Sequence, residues 1–204
     1  MSKILFSLIF LSFVILTSCA ENNTNPTNTS KELIPLKKGN YWVLSSNIRD
    51  YKYKFSCFDT YNYNQKDYMI MHYFRDYLKD EKPTEIVLWR NIDSGVVYGS
   101  LDSIEYLKYK FPINRGEIFT FYQTQITALT VDTTIKVMGK EFKNTIVYSS
   151  LEKPTQGNYF YQNVDYISVG FGLIKKETYQ WDKTKDFSTK TLFETEELIE
   201  YNVK

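Results

Sequence analysis

Along residues 51–59 the odd positions Tyr51, Tyr53, Phe55 and Cys57 are apolar or aromatic, and the even positions Lys52, Lys54 and Ser56 are polar. An extended chain sends alternate side chains to opposite faces, so this period of two predicts a strand with one buried face. Residues 67–75 are apolar in both phases, with Tyr68, Ile70 and Phe74 in one and Met69, Met71 and Tyr73 in the other. That pattern predicts a strand covered on both sides. Further strand-like runs lie at 41–45, 85–90, 96–99, 118–122, 129–137, 144–149, 158–163, 172–181, 189–193 and 198–203. Turn sequences separate several of them, among them Asp93-Ser94-Gly95, Met138-Gly139-Lys140 and the stretches 153–157 and 182–186. Residues 76–82 and 101–110 are helix candidates. The acidic stretch 194–200 is another, although Leu198, Ile199, Tyr201 and Val203 also suit a closing strand. About ten short strands at hairpin spacing predict a mostly β fold, a single antiparallel curved sheet forming a half-barrel or barrel with at most one or two short helices.

Composition agrees with that pattern. The chain carries 18 Tyr, 14 Phe and 3 Trp, but only two alanines, Ala20 and Ala128. Aromatic residues favour strands, and alanine is the strongest helix former. Hydrophobic residues at 43% and charged residues at 24% exclude a wholly disordered chain. Lys+Arg of 25 against Asp+Glu of 24 leaves a net charge of +1, which gives no basic footprint for nucleic acid.

Lys3 precedes an unbroken run, Ile4 to Leu16, that is apolar apart from two serines and too short for a comfortable membrane span. That is the layout of a secretory signal peptide. The run ends in Leu16-Thr17-Ser18-Cys19, which resembles the bacterial lipobox. The resemblance implies cleavage before Cys19, a diacylglycerol on its thiol and a further acyl chain, such as palmitate, on its freed amine. Residues 20–31 contain no large apolar side chain and predict a tether. The expected organisation is therefore a signal peptide at 1–18, a lipidated Asn/Thr-rich tether at 19–32 and a single β domain at 33–204. Ala20 stands where an inner-membrane retention signal would have aspartate, so the resemblance implies a lipid anchor in the outer membrane. Glu21 is the only acid near it, which leaves the periplasmic and cell-surface faces both open. With Cys19 acylated, Cys57 has no disulfide partner, and the domain is long enough to fold without one.

Three segments resemble elements of poorly characterised exported bacterial β proteins. They are Leu36-Lys37-Lys38-Gly39-Asn40-Tyr41-Trp42-Val43, the hairpin from Val137 to Thr145 around Gly139 and Phe142, and the strand start from Tyr166 to Lys175 around Gly170-Phe171-Gly172. They occur in the expected order. Leu44 and Glu141 depart from the pattern, which more often has an aromatic at the first and a small residue or threonine at the second. The resemblance implies a curved sheet like that of lipoprotein carriers, and it brings no catalytic residue.

The chemistry-bearing residues are few. His72 is the only histidine and shares a phase with Tyr68, Ile70 and Phe74, which predicts a core or half-buried structural role. No Gly-x-Ser-x-Gly elbow presents a serine to it, and Cys57 lies on an apolar strand phase. Asp182 and Asp186 fit no calcium-loop spacing and suit a solvated turn. Gly170-Phe171-Gly172 lacks the third glycine of a dinucleotide site and reads as a tight turn. The expectation is therefore a protein that is not an enzyme, with no catalytic residue, metal site or cofactor. Ser103 and Thr133 sit in Asp-Ser/Thr triplets that resemble bacterial O-glycosylation acceptors and also read as ordinary loop and strand residues. The aromatic surplus suggests that some rings line a cavity, and Tyr53 and Phe55 are the candidates for a ligand-binding wall. The expected function is a non-catalytic binding module for an apolar ligand or envelope component. A structural or accessory subunit of a membrane complex and an unrecognised hydrolase are the alternatives. Expected partners are the membrane, through Cys19, and that ligand or an envelope protein, with no nucleic acid.

Overall fold

The computed structural model describes residues 32–99, 104–152 and 158–204. The signal peptide, Cys19, most of the tether and Ser103 lie outside the described residues. Twelve strands follow one another: β1 (Tyr41–Ser46), β2 (Lys52–Tyr63), β3 (Lys66–Phe74), β4 (Glu85–Ile92), β5 (Gly95–Gly99), β6 (Glu105–Lys110), β7 (Ile118–Phe121), β8 (Thr124–Val137), β9 (Lys140–Glu152), β10 (Tyr159–Ser168), β11 (Gly172–Asp182) and β12 (Thr191–Asn202). The one helical element among the described residues is a 3₁₀ turn at Phe187–Thr189.

All twelve strands form one sheet in the order β6-β5-β4-β3-β2-β1-β12-β11-β10-β9-β8-β7, and every pairing is antiparallel. Two meanders, β1–β6 and β7–β12, share the β1·β12 pair at the centre. The sheet curls until its end strands β6 and β7 meet without a hydrogen-bonded ladder, as a nearly closed barrel. The mostly β, curved, antiparallel expectation holds.

Four expectations change in detail. Residues 105–110 are strand β6 and not part of a helix, because Val96 and Val97 of β5 supply a partner ladder. Asp76–Lys82 is a turn: the Asp80 carboxylate accepts from the Asp76 amide at 2.8 Å and competes with helix propagation. The runs at 189–193 and 198–203 are one strand, β12, through the acidic stretch, with a bulge opposite Thr178/Tyr179. Among the described residues no second layer covers β3. Its outward phase is shielded sideways, where Tyr68 donates to Glu105 at 2.7 Å and Arg90 and Lys66 both pair with the same carboxylate.

One end of the barrel is packed solid. Leu33, Trp42, Leu44, Ile174 and Leu198 are buried there together with Phe142 and Phe171. The Trp42 indole donates to the Phe171 carbonyl at 2.8 Å, and its ring lies 3.1 Å from where a Cβ on Gly172 would sit. Gly172 also has φ of 109°, so a side chain is excluded there on both counts. Asn40 is fully buried. Its side chain donates to the Pro35 carbonyl at 2.8 Å and accepts from the Lys204 amide at 3.1 Å, so it ties the start of the domain to its end. The three motif segments meet at this base: the Val169 amide donates to Asn144, and Phe142 sits edge-on to Phe171 at 4.9 Å. Their role is to close the barrel floor.

Candidate functional site

Above that floor the barrel holds a cavity of about 560 Å³. Its apolar wall comes from three adjacent strands: Tyr53 and Phe55 of β2, Met71 and Tyr73 of β3, and Val87 and Trp89 of β4. The registers Phe55↔Tyr73, Met71↔Val87 and Met69↔Trp89 put these side chains on one face. Tyr53 and Tyr73 stack at 5.9 Å, and Phe55 meets Tyr73 at 5.0 Å. Tyr53 and Phe55, nominated from alternation alone, both line the cavity. Cys57, next in the same phase, lies deeper, with its thiol 3.5 Å from the Met71 sulfur, and burial pushes its pKa up to about 12.

The opposite wall is polar. Asp165 of β10, Lys176 of β11 and Glu196 of β12 are directly paired across neighbouring strands and all line the cavity. Asp165 accepts from the Tyr109 hydroxyl at 2.9 Å. Lys108 enters from β6. There Val96 pairs with Tyr109 and Val97 with Leu107, so Lys108 is the extra residue of a bulge, a feature that re-aims a side chain. Its ammonium sits 4.6 Å from the Phe121 ring centroid. Asn163, Ser150 and Glu152 complete this wall, Glu85 of β4 stands at the end of the apolar wall, and both glutamates are exposed to solvent. A side pocket of about 130 Å³ opens behind Lys108 toward Thr124 and Ile126.

The electrostatics follow from enclosure. Burial disfavours the charge on Lys108 and lowers its pKa; Asp165 opposes that shift and Lys176 adds to it. Burial acts on Lys176 in the same direction, but Asp165, Glu196 and Glu152 outweigh it and raise its pKa. Burial raises the Glu196 pKa, Lys176 opposes the shift, and Glu194 and Asp165 reinforce it. Glu194, next on the same face, is differently placed: Ser46 donates to it at 2.6 Å and Arg49 pairs with it at 3.4 Å.

Where β6 and β7 meet, rings stand in for a ladder. Tyr106 and Tyr122 stack at 3.8 Å, and Phe121 and Tyr98 complete the cluster. Tyr98, Phe121 and Tyr122 also line the cavity, so this seam is its side wall.

The other nominated residues lie elsewhere. His72 points outward, half-buried, stacked on Phe58 at 4.2 Å, and burial lowers its pKa. The register Ser56↔His72 and Cys57↔Met71 sets His72 and Cys57 on opposite faces of the sheet. Asp182 accepts from Thr184, and Asp186 caps the 3₁₀ turn through the Ser188 amide. Gly170-Phe171-Gly172 is the turn between β10 and β11. Thr133 lies half-buried in β8 beside Asp132, whose φ is 58°. Among the described residues no three His, Cys, Asp or Glu side chains are grouped to hold a metal, and no helix is long and apolar enough to cross a membrane.

The aromatic surplus and the alternation of β2 point to Tyr53 and Phe55 of the apolar wall and to no residue of the polar one. A signal was present: Lys176 is in phase with buried Ile174, and Glu196 is in phase with buried Leu198. Charged side chains at core-phase positions mark an interior that is not filled by apolar packing. Lys108 carried no such signal, because its bulge breaks the phase.

No protein-family model and no curated protein match the chain. Among solved structures, it is similar to a Bacteroides fragilis protein described as exported and as having a YmcC-like fold. That match has 13% identity and a TM-score of 0.53, and covers 83% of this chain and 98% of the other. A Parabacteroides distasonis protein described as a lipoprotein matches at 11% identity and a TM-score of 0.49, over 84% of this chain and 98% of its own. The first likeness establishes the fold: this chain adopts a curved β sheet shared with an exported bacterial protein.

Proposed function

We propose that the protein is a non-catalytic binding module that takes one amphipathic molecule into its barrel, held at the outer membrane by acylated Cys19. The observation that carries this proposal is the cavity of about 560 Å³ with an aromatic wall and a facing polar wall. Cavities of roughly 300–1,000 Å³ suit small ligands. Burying about 300 Å² of apolar ligand surface at about 25 cal/mol per Å² gives about 7.5 kcal/mol, short of the roughly 8 kcal/mol of micromolar binding before any association cost, so the polar wall has to supply the rest. The anchor rests on Leu16-Thr17-Ser18-Cys19. A non-catalytic role is supported by the separation of Cys57 and His72 on opposite faces.

An accessory-subunit role is the second reading. It is favoured by the outward patch where Phe58 and Ile86, 54% and 60% exposed, flank His72.

One experiment addresses both parts of the proposal. The native protein should incorporate a palmitate analogue and fractionate with membranes, and Cys19→Ala should do neither. The released Cys19→Ala protein should then bind an environment-sensitive fatty-acyl probe saturably, with displacement by unlabelled competitor. Unchanged labelling would remove the anchor, and no saturable signal up to the probe's solubility limit would leave the accessory role as the better account.

A further inference from the structure

The polar wall contrasts with the half-buried ion clusters of the outer face, where Glu105 holds Arg90 and Lys66, and Lys175 bridges Glu177 and Glu197. Inside, among the described residues, no carboxylate lies within 4.0 Å of the Lys176 or Lys108 ammonium and no protein donor bonds the Glu196 carboxylate, so these groups face the solvent of the cavity. Charges that line a cavity without a direct protein partner leave their hydrogen-bonding capacity open to whatever enters it.

The order of the charges says what they would meet. Asp165, Lys176 and Glu196 alternate in sign on three neighbouring strands, with Lys108 coming in beside Asp165 and Glu85 and Glu152 near the rim. A ligand with a single negative charge would gain from the lysines and be repelled by Asp165 and Glu196. A ligand with a single positive charge would face the reverse. A head carrying both charges satisfies both sets. Neighbouring strands are spaced about 4.8 Å apart, so the favoured separation between the two ligand charges is about 5 Å. That is the span between a phosphate and its amino or quaternary nitrogen when two carbons join them.

We infer that the cavity takes a single-chain zwitterionic amphiphile, its phosphate on Lys176 and Lys108, its cationic nitrogen on Glu196, and its chain against Phe55, Val87 and Trp89. This rests on the cavity-binding proposal and adds the class of ligand to it. Chain and head are recognised by opposite walls, so neither half binds well alone.

The test is calorimetric titration of the full chain, below the micelle threshold, with four probes: dodecylphosphocholine, dodecanoate, dodecyltrimethylammonium and free phosphocholine. Dodecylphosphocholine should bind at least tenfold more tightly than either singly charged chain, and free phosphocholine should bind weakly or not at all. Glu196→Gln, which keeps size and shape, should weaken dodecylphosphocholine about tenfold and tighten dodecanoate. Lys176→Met should weaken dodecylphosphocholine and dodecanoate together. Equal affinity for the three chains, or a preference for dodecanoate, overturns the ligand class and leaves the cavity as a binding site. Binding of none of them overturns both.

Discussion

Glu105 illustrates how single residues hold this barrel. Burial alone would raise its pKa, but bonds from Lys66, Tyr68 and Arg90 bring it down to about 2. A carboxyl whose folded pKa lies below its unfolded value stabilises the fold above the unfolded value, near 4.5, and loses that contribution as pH falls toward 2. Glu105→Gln should therefore cost about 1–3 kcal/mol at pH 7. The gap from the native protein should narrow between about pH 4.5 and pH 2. Urea unfolding at several pH values checks this; a constant gap would show that the ion pairs on Glu105 contribute nothing. Glu196 has the opposite sign. Its raised pKa means that ionisation with rising pH subtracts stability, which is the cost of keeping a carboxylate in the cavity wall.

At the scale of elements, the sequence was most legible where alternation was clean. In β2, Tyr53 and Cys57 are buried and Phe55 is half-buried on the inner face, as the period of two requires. Elements shaped by bulges or by distant partners were not legible. β6 reads as a helix candidate because Lys108 interrupts its alternation, and only the β5 ladder makes it a strand. The glutamates of β12 suggest a solvated helix by charge, yet Glu194 and Glu196 point inward because β1 and β11 fix the register on both sides. The same topology sets a gradient of local stability. β6 and β7 each have one ladder neighbour, whereas β1 and β12 have two. Amide exchange in the native state should be fastest in Glu105–Lys110 and Ile118–Phe121 and slowest across β1, β11 and β12. Equal protection at the two ends of the sheet would show that the aromatic seam holds as firmly as a ladder.

At the scale of the whole molecule, strand number explains why there is a cavity at all. Barrel diameter grows with the number of strands, and about eight already give an interior that side chains can fill. Twelve leave more room than this chain's side chains occupy. The Trp42, Phe142 and Phe171 cluster closes one end, and the space above it stays open between an aromatic and a charged wall. The central claim is that this interior, and not the outer surface, takes the ligand. Native mass spectrometry of the protein with dodecylphosphocholine, alongside Val87→Trp, tests it most directly, because Val87 lines the cavity and a larger ring there fills it from the apolar wall. One bound amphiphile per chain is expected in the native protein, with occupancy at least tenfold lower in a folded Val87→Trp variant. Equal occupancy in the two proteins would place the amphiphile on the outside and contradict the claim.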